Sequence, residues 1–254
     1  MKRRVSWKEL VVETLRKMGG EGSLGEIIES LRSHPLRPQT RTWQATIRRV
    51  VREFKVFEPF RDQQGIAAYR LVTIEQPSPP FAQPGTDPHG EQQGMLLQLG
   101  RWCGYETFTN ATDRTIRKMG GIPIGDLATV RNDADSLRGL PLQKIRNTDV
   151  LWLAEDAEGL YPRYAFEVEE STKVKSGLLR LLRIPSRFQT RLLIIGKGEE
   201  EAHLFRRYLQ DSPFREASRR LHFHSYEEVR AFYRGGSAFD VARRAFEVEL
   251  NYSI

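Results

Sequence analysis

The sequence has one cysteine, no long apolar run and no apolar block typical of a signal peptide. A lone Cys103 excludes an intrachain disulfide and any zinc site built from several cysteines. No apolar stretch approaches membrane-spanning length, and residues 1–5 lead directly into an amphipathic pattern. We therefore expect a soluble, cytoplasmic protein with no membrane partner. Cys103 follows Trp102 in an apolar helical pattern, which favours a packed thiol over a nucleophile.

Positive charge is in excess and is concentrated at one end of the chain. The formal net charge is +7, and residues 1–75 carry +6 of it, with 15 Lys and Arg residues against 9 Asp and Glu residues. An anionic partner is expected, although charge alone does not separate nucleic acid from acidic lipid or ribosome.

A proline-rich stretch divides the chain. Residues 75–88 contain five prolines and have no helical or strand period, which is typical of a semi-rigid linker. We predict a first domain at 1–75, a linker at 76–88 and a second domain at 89–254.

Three short helices and a hairpin are predicted in the first domain. Capping serines at 6 and 23 precede two helical patterns, and a third helix is expected over residues 42–54. Residues 56–60 and 67–72 read as two strands of a hairpin. This order predicts an α+β winged-helix domain whose third helix enters a major groove.

The third helix has a basic outer face. The candidates for DNA contact are Arg41, Thr42, Gln44, Arg48, Arg49 and Arg52. The stretch from Trp7 to Val72 resembles the HARE-type helix-turn-helix domains, with Gly19-Gly20, residues 24–27 and residues 65–69 as the matching landmarks. The resemblance implies double-stranded DNA as the partner. The alternative is a winged helix that docks a protein and has a merely solvated basic face.

Helices and strands alternate in the second domain. The predicted order is helix 90–103, strands 105–109, 149–153 and 164–169, helix 171–184, strand 191–196, helix 199–209, strand 221–224 and helix 226–233. These elements predict an α/β domain with a mixed sheet flanked by helices. Residues 114–147 fit no clear pattern, and we expect loops and a short helix or strand near the predicted active cleft of this domain.

Three carboxylates converge in this predicted sheet. Glu167 and Glu169 lie two apart on one strand and project from the same face. Asp149 begins the neighbouring strand and adds a third charge, which is costly unless a cation lies between the carboxylates. A metal ion is the cation that this pattern favours. The alternative is that all three are solvated strand residues, as expected for the second Phe-Glu-Val-Glu copy at 246–249.

The order of elements over about residues 89–235 resembles the restriction-endonuclease-like superfamily, whose core motif is written PD-(D/E)XK. The matching stretches are Asp149 to Trp152, Phe166 to Thr172 and Ser176 to Arg180. The resemblance implies that Asp149 and Glu167 bind a metal, together with the carbonyl of Val168. It also implies an acid from the first helix, for which Glu91 is the candidate and Glu106 the weaker alternative. Oxygen ligands and a phosphate substrate suit Mg²⁺ or Mn²⁺.

Two positions depart from the superfamily pattern. Thr148 stands where proline is usual, and Glu169 stands where lysine is usual. Glu169 would then orient or deprotonate the attacking water, and Lys173 or Lys175 would supply the missing positive charge. We expect a metal-dependent DNA endonuclease of the restriction or defence type that acts as a homodimer. The alternatives are a DNA-binding regulator with an inactive nuclease-like domain and an RNA-processing nuclease.

Two further groups of side chains carry weaker signals. His222 and His224 share a strand face but have no evident third metal ligand. The basic residues that follow the Glu-x-Glu strand either reach phosphates beside the cleft or are simply solvated. These residues are Arg180, Arg183, Arg187 and Arg191.

Overall fold

The computed structural model describes residues 6–34, 42–62, 64–72, 87–130, 136–137, 140–141, 145–156, 158–170 and 173–245. Within these ranges, every helix is too short or too polar to span a lipid bilayer. Most of the predicted linker, the predicted DNA contact Arg41 and the second Phe-Glu-Val-Glu copy lie outside the described residues.

The N-terminal elements include the three predicted helices and the hairpin. They are α1 (Trp7–Lys17), β1 (Glu21–Ser23), α2 (Leu24–Arg32), α3 (Trp43–Glu53), β2 (Phe57–Arg61) and β3 (Ala67–Leu71). Ser6 and Ser23 start α1 and α2 with capping boxes, because each hydroxyl accepts a bond from the N–H three residues on and the glutamate at that position accepts one from the serine N–H. The strands form an antiparallel sheet in the order β1-β3-β2. The pattern missed β1 because three residues are too few to show alternation.

The C-terminal elements build a larger sheet. They are α4 (Pro88–Trp102), β4 (Glu106–Thr109), α5 (Asp113–Ile116), β5 (Lys118–Met119), β6 (Ile122–Pro123), α6 (Ile124–Leu127), β7 (Ser136–Leu137), β8 (Leu140–Pro141), β9 (Val150–Asp156), β10 (Gly159–Glu169), α7 (Val174–Leu181), β11 (Arg191–Gly196), α8 (Glu199–Tyr208), β12 (Leu221–Ser225) and α9 (Tyr226–Ala245). The strand order is β12-β11-β10-β9-β4. The first three of these are parallel, whereas β9 and β4 pair antiparallel, so the predicted mixed sheet is confirmed.

The bounds of two predicted helices differ from those in the structure. The expected helix 171–184 is shorter, since α7 begins at Val174, and the expected helix 226–233 continues as α9 to Ala245. The unassigned segment 114–147 contains the short helix α6, part of α5 and the small strand pairs β5-β6 and β7-β8. Elements of two to four residues are too short for an apolar period to show.

The two faces of the large sheet are covered by different helices. Phe166 and Val168 of β10 pack in one cluster with residues of α4 and α9. Ala165, on the opposite face of the same strand, belongs to a second cluster with residues of α7 and α8. The strand parity therefore places Glu167 and Glu169 on the face that α7 covers.

The N-terminal elements share a core with the large sheet. Trp7 of α1 and Phe54 after α3 belong to the same buried cluster as Phe108 of β4 and Leu151 of β9. Phe54 and Val130 form an isolated antiparallel bridge. Apolar contacts therefore run without a break from the first helix to the sheet that holds the carboxylates.

Candidate active site

The ends of β9 and β10 bring Asp149 and Glu167 together. Val150 of β9 pairs with Phe166 of β10, so the residues that flank this pair become neighbours. Asp149 Oδ2 accepts a hydrogen bond of 2.8 Å from the N–H of Val168. Glu167 is fully buried, and Asp149 is 7% exposed. Two of the predicted carboxylates are therefore held side by side and away from solvent.

The positive charge beside these carboxylates comes from Arg180 on α7. Its Nε and Nη2 atoms lie 2.8 and 2.6 Å from Glu167 Oε2, and Nη2 lies 2.9 Å from Glu169 Oε1. Long helical side chains lean toward the helix N-terminus, which carries the guanidinium back toward the end of β10. Lys173 is exposed at the start of α7, and the Lys175 ammonium packs over an aromatic ring of α8. Arg180, rather than either lysine, makes these ion pairs.

A glycine allows α7 to approach the carboxylates this closely. A Cβ atom at Gly177 would lie 2.6 Å from Glu169 Oε1 and 3.0 Å from Ile194 Cδ1. The first distance is shorter than any ordinary contact between such atoms. A larger residue would therefore displace either the Glu169 carboxylate or α7, and either shift would disturb the ion pair between Glu169 and Arg180.

The carboxylates carry strongly perturbed pKa values. Burial and the nearby Asp149 charge raise the pKa of Glu167 well above its usual range, although Arg180 opposes this shift. Burial raises the pKa of Glu169 to about 7, with Arg180 again opposing. Within the described residues, Glu167 Oε1 is a buried oxygen with no hydrogen-bond partner. One guanidinium does not balance three acids, and this unpartnered oxygen fits a divalent cation.

His89 and Asp113 extend the acidic group on its Asp149 side. His89 Nε2 lies 3.5 Å from Asp149 Oδ2, and one ligand atom from each of the three residues lies within 4.8 Å of the others. Burial disfavours the charged imidazole, but the Asp149 carboxylate outweighs it and raises the pKa of His89. The sequence pattern missed both residues. The sequence does contain one relevant signal for His89: Asp87 and Pro88 are a helix cap and a first-turn proline, and they place His89 in the first turn of α4.

The predicted helix acids lie in different places. Glu91 is buried in the first turn of α4 but does not belong to a metal-type group among the described residues. Its metal role stays a prediction. Glu106 begins β4, opposite Leu153, whereas Asp149 lies near Thr109 at the other end of that strand. Glu106 forms an ion pair with Lys8 of α1, so the structure removes this weaker alternative from the carboxylate group.

The predicted DNA contacts on α3 lie in three environments. Thr42 precedes the helix, and Arg48 and Arg52 are exposed along it. Gln44 is half-buried. The Arg49 guanidinium packs where a side chain on Gly159 would lie, and its Nε is 3.6 Å from Glu53 Oε2. Arg48 and Arg52 are therefore the arginines of α3 most accessible to a nucleic acid.

Two other expectations have different outcomes. The predicted packed thiol is wrong, because Cys103 is exposed where α4 ends. Desolvation nevertheless raises its pKa, which disfavours the nucleophilic thiolate. His222 is half-buried and His224 is exposed on β12, and neither belongs to a three-residue metal group in the described ranges.

The mixed sheet, with buried acids at neighbouring ends of β9 and β10, is compatible with a nuclease-like fold. The protein-family model described as the Type II restriction enzyme NmeDI C-terminal domain matches residues 75–246 of this chain, which is more than half of its length. The chain therefore belongs to this family and is a restriction-enzyme-like nuclease. No curated protein and no solved structure showed a match.

Proposed function

We propose that the protein is a metal-dependent DNA endonuclease of the PD-(D/E)XK type, in the variant with Glu-x-Glu on the second strand. The observation that carries the proposal is the buried Asp149–Glu167 pair, in which Glu167 Oε1 has no hydrogen-bond partner among the described residues. Family membership supports the same chemistry from an independent direction. We further propose a restriction or defence role, with Mg²⁺ or Mn²⁺ as the cofactor and a homodimer as the active form.

Each side chain of the site has a proposed role. Asp149 and Glu167 would hold the cation, and Glu91 and the Val168 carbonyl would complete its surroundings. When bound, a divalent cation supplies Lewis acidity toward the phosphodiester. Glu169 would orient the attacking water and accept its proton, which is consistent with a pKa of about 7.

Positive charge at the site has two proposed sources. Arg180 would keep Glu167 and Glu169 in place through the contacts of 2.6–2.9 Å described above. Lys173, exposed at the start of α7, would reach a phosphate of the bound substrate.

We propose that residues 1–75 form a HARE-type winged-helix domain that holds duplex DNA for the nuclease domain at 89–254. Three helices, a short strand and a hairpin in this order support the assignment. The exposed Arg48 and Arg52 would contact the phosphate backbone, and Thr42 and Gln44 lie at the end of α3 that would enter the groove. The sequence-based prediction that Arg41 contacts DNA is part of the same proposal.

A DNA-binding regulator with an inactive nuclease-like domain is the second candidate. The observation that favours it is Glu169 in the position of the superfamily lysine, with Arg180 already paired to both glutamates. In such a protein, Arg180 would stabilise the fold permanently in place of a cation.

The deciding experiment is cleavage of plasmid and phage DNA by the full chain at low salt, with Mg²⁺, Mn²⁺ or EDTA. Wild type should cut with either metal, and Glu167→Ala should not. A parallel panel of RNA substrates separates an RNA-processing nuclease. Tight, salt-sensitive DNA binding without cleavage in the presence of either metal would contradict the endonuclease proposal and support the DNA-binding regulator.

A further inference from the structure

A second group of metal-ligand side chains lies beside the proposed catalytic pair. His89 comes from the first turn of α4, Asp113 opens α5, and Asp149 precedes β9. Their ligand atoms lie within 4.8 Å of one another. Ligand atoms bound to one small divalent cation, with bonds of about 2.1 Å, lie about 3.0 Å apart when adjacent and about 4.2 Å apart when opposite. The 3.5 Å between His89 Nε2 and Asp149 Oδ2 falls within this range, and a cation could join all three groups once the longer separations close toward it.

Neighbouring groups hold the two carboxylates of this group in position. Asp113 Oδ2 accepts hydrogen bonds of 2.7 Å from Gln93 Nε2 and from Asn110 Nδ2. Asp149 Oδ2 accepts the bond from the Val168 N–H. Metal ligands in proteins are oriented by outer hydrogen bonds of this kind. The arrangement therefore provides oriented acceptors and not only nearby negative charge.

The histidine has an unused nitrogen. His89 Nε2 is buried and has no hydrogen-bond partner within the described part of the chain. Its distance of 3.5 Å from Asp149 Oδ2 is too long for a good hydrogen bond. Only the neutral imidazole can coordinate a cation, and coordination through its lone pair would give this buried nitrogen a close partner in place of the long contact with Asp149.

The surrounding charge also favours a cation. Arg117 is one positive group near these acids, and it makes its closer contact with Asp87, at 2.8 Å. Its contact with Asp113 is 3.7 Å, which is longer than a hydrogen bond. Arg117 therefore offsets the charge of Asp113 only in part, because it is shared with Asp87.

We propose that His89, Asp113 and Asp149 form a second cation site, which selects a first-row transition metal over Mg²⁺. An imidazole nitrogen favours transition metals, whereas Mg²⁺ favours an all-oxygen set. Asp149 is common to this site and to the proposed catalytic pair, but binding at His89 requires no DNA and no hydrolysis. The inference thus goes beyond the proposed function and can be tested separately from it.

The test uses Mn²⁺ as the probe and the full chain without DNA. Pulsed electron paramagnetic resonance of bound Mn²⁺ should show coupling to an imidazole nitrogen. His89→Gln should remove this coupling, and Asp113→Asn should weaken the binding of the nitrogen-coupled Mn²⁺ by at least about tenfold. Excess Mg²⁺ should displace the nitrogen-coupled Mn²⁺ poorly. Far-ultraviolet circular dichroism and thermal unfolding establish that each variant is folded.

The outcomes separate this site from the nuclease proposal. Nitrogen coupling that persists in Glu167→Gln and disappears in His89→Gln supports the second site, whether or not wild type cuts DNA. Bound Mn²⁺ without nitrogen coupling in wild type, or coupling unchanged in His89→Gln, would overturn it and leave His89 as an ion-pair partner of Asp149. DNA cutting combined with either negative result would leave only the endonuclease proposal standing.

Discussion

Arg180 forms its ion pair with only one of the two carboxylate oxygens of Glu167. Its Nε and Nη2 atoms contact Oε2 at 2.8 and 2.6 Å, while the buried Oε1 has no hydrogen-bond partner in the described part of the chain. The guanidinium thus fixes the orientation of the carboxylate and leaves one oxygen available. A planar fork can do this for two acids at once, because Nη2 also contacts Glu169.

The first prediction concerns Arg180 itself. If Arg180 positions both glutamates, Arg180→Ala should lower the rate of DNA cleavage by about 100-fold or more, since small displacements of catalytic groups have effects of this size. Arg180→Lys keeps the charge but not the fork and should fall between wild type and alanine. Single-turnover plasmid cleavage measures both rates.

Arg206→Ala is the matched control for this prediction. Arg206 is an exposed arginine of α8 that pairs with Glu199 on the same helix. Its removal should leave the cleavage rate within about twofold of wild type, because surface ion pairs contribute little. An Arg180→Ala enzyme as fast as Arg206→Ala would exclude the positioning role.

The second prediction concerns the approach of α7. Gly177→Ala introduces a Cβ atom 2.6 Å from Glu169 Oε1, so we expect a loss of about 1–3 kcal/mol in the free energy of unfolding. Cleavage should fall with it, because α7 carries Arg180. Gly198→Ala is the comparison, since nothing lies within 4 Å of its Cβ position. Equal unfolding free energies for the two variants, measured by urea titration, would contradict the prediction.

The sequence predicted the parts of the site that lie on one strand or at its neighbour. Alternation along β10 placed Glu167 and Glu169 on one face, and the adjacent apolar strand placed Asp149 beside them. The pattern did not identify Arg180 as their partner, because that contact depends on how α7 returns over the sheet. Its residues were readable as a helix, but the face that meets β10 is set by packing at Gly177.

His89 and Asp113 are site residues that the sequence pattern could not identify. Each lies in a first turn, of α4 and of α5, and neither has a periodic neighbour that indicates a site. They meet because α4, β4 and β9 pack together, and no spacing along the chain encodes that meeting. The shared core of α1, α3 and the large sheet was likewise unpredictable from a chain that reads as two domains and a linker.

The third prediction distinguishes the arginines of α3. Arg48 and Arg52 are exposed, so replacing both with alanine should weaken DNA binding. The slope of log K against the logarithm of the salt concentration should become shallower by about two, one for each lost phosphate contact. Fluorescence anisotropy of a labelled duplex at several salt concentrations measures this slope. An unchanged slope would show that α3 does not contact phosphates.

Arg49 should behave differently from its two neighbours. It lies against Gly159 and 3.6 Å from the buried Glu53. Arg49→Ala should therefore lower the free energy of unfolding, by about 1–3 kcal/mol, because it removes a partner from a buried carboxylate. Its effect on the salt slope should be smaller than that of either exposed arginine. A slope reduced as much as in Arg48→Ala would instead place Arg49 on the DNA.

The fourth prediction concerns Glu155, where the N-terminal helices meet β9. Burial, and then the charge of Glu106, raises the pKa of Glu155 from 4.5 to about 7. Below pH 4.5 the group is neutral in both the folded and unfolded chain. Between pH 4.5 and 7 the folded protein keeps a proton that the unfolded chain has lost, so the free energy of unfolding falls as the pH rises. Above pH 7 the destabilisation is complete.

Glu155→Gln removes this ionisation. The variant should match wild type near pH 4.5 and exceed its free energy of unfolding by about 3 kcal/mol at pH 8, as the pKa difference implies. Urea unfolding at the two pH values measures the change, and Glu200→Gln, at an exposed position of α8, is the control. A gain of the same size at both pH values would mean that the substitution acts through packing, and that the carboxyl of Glu155 does not titrate between them.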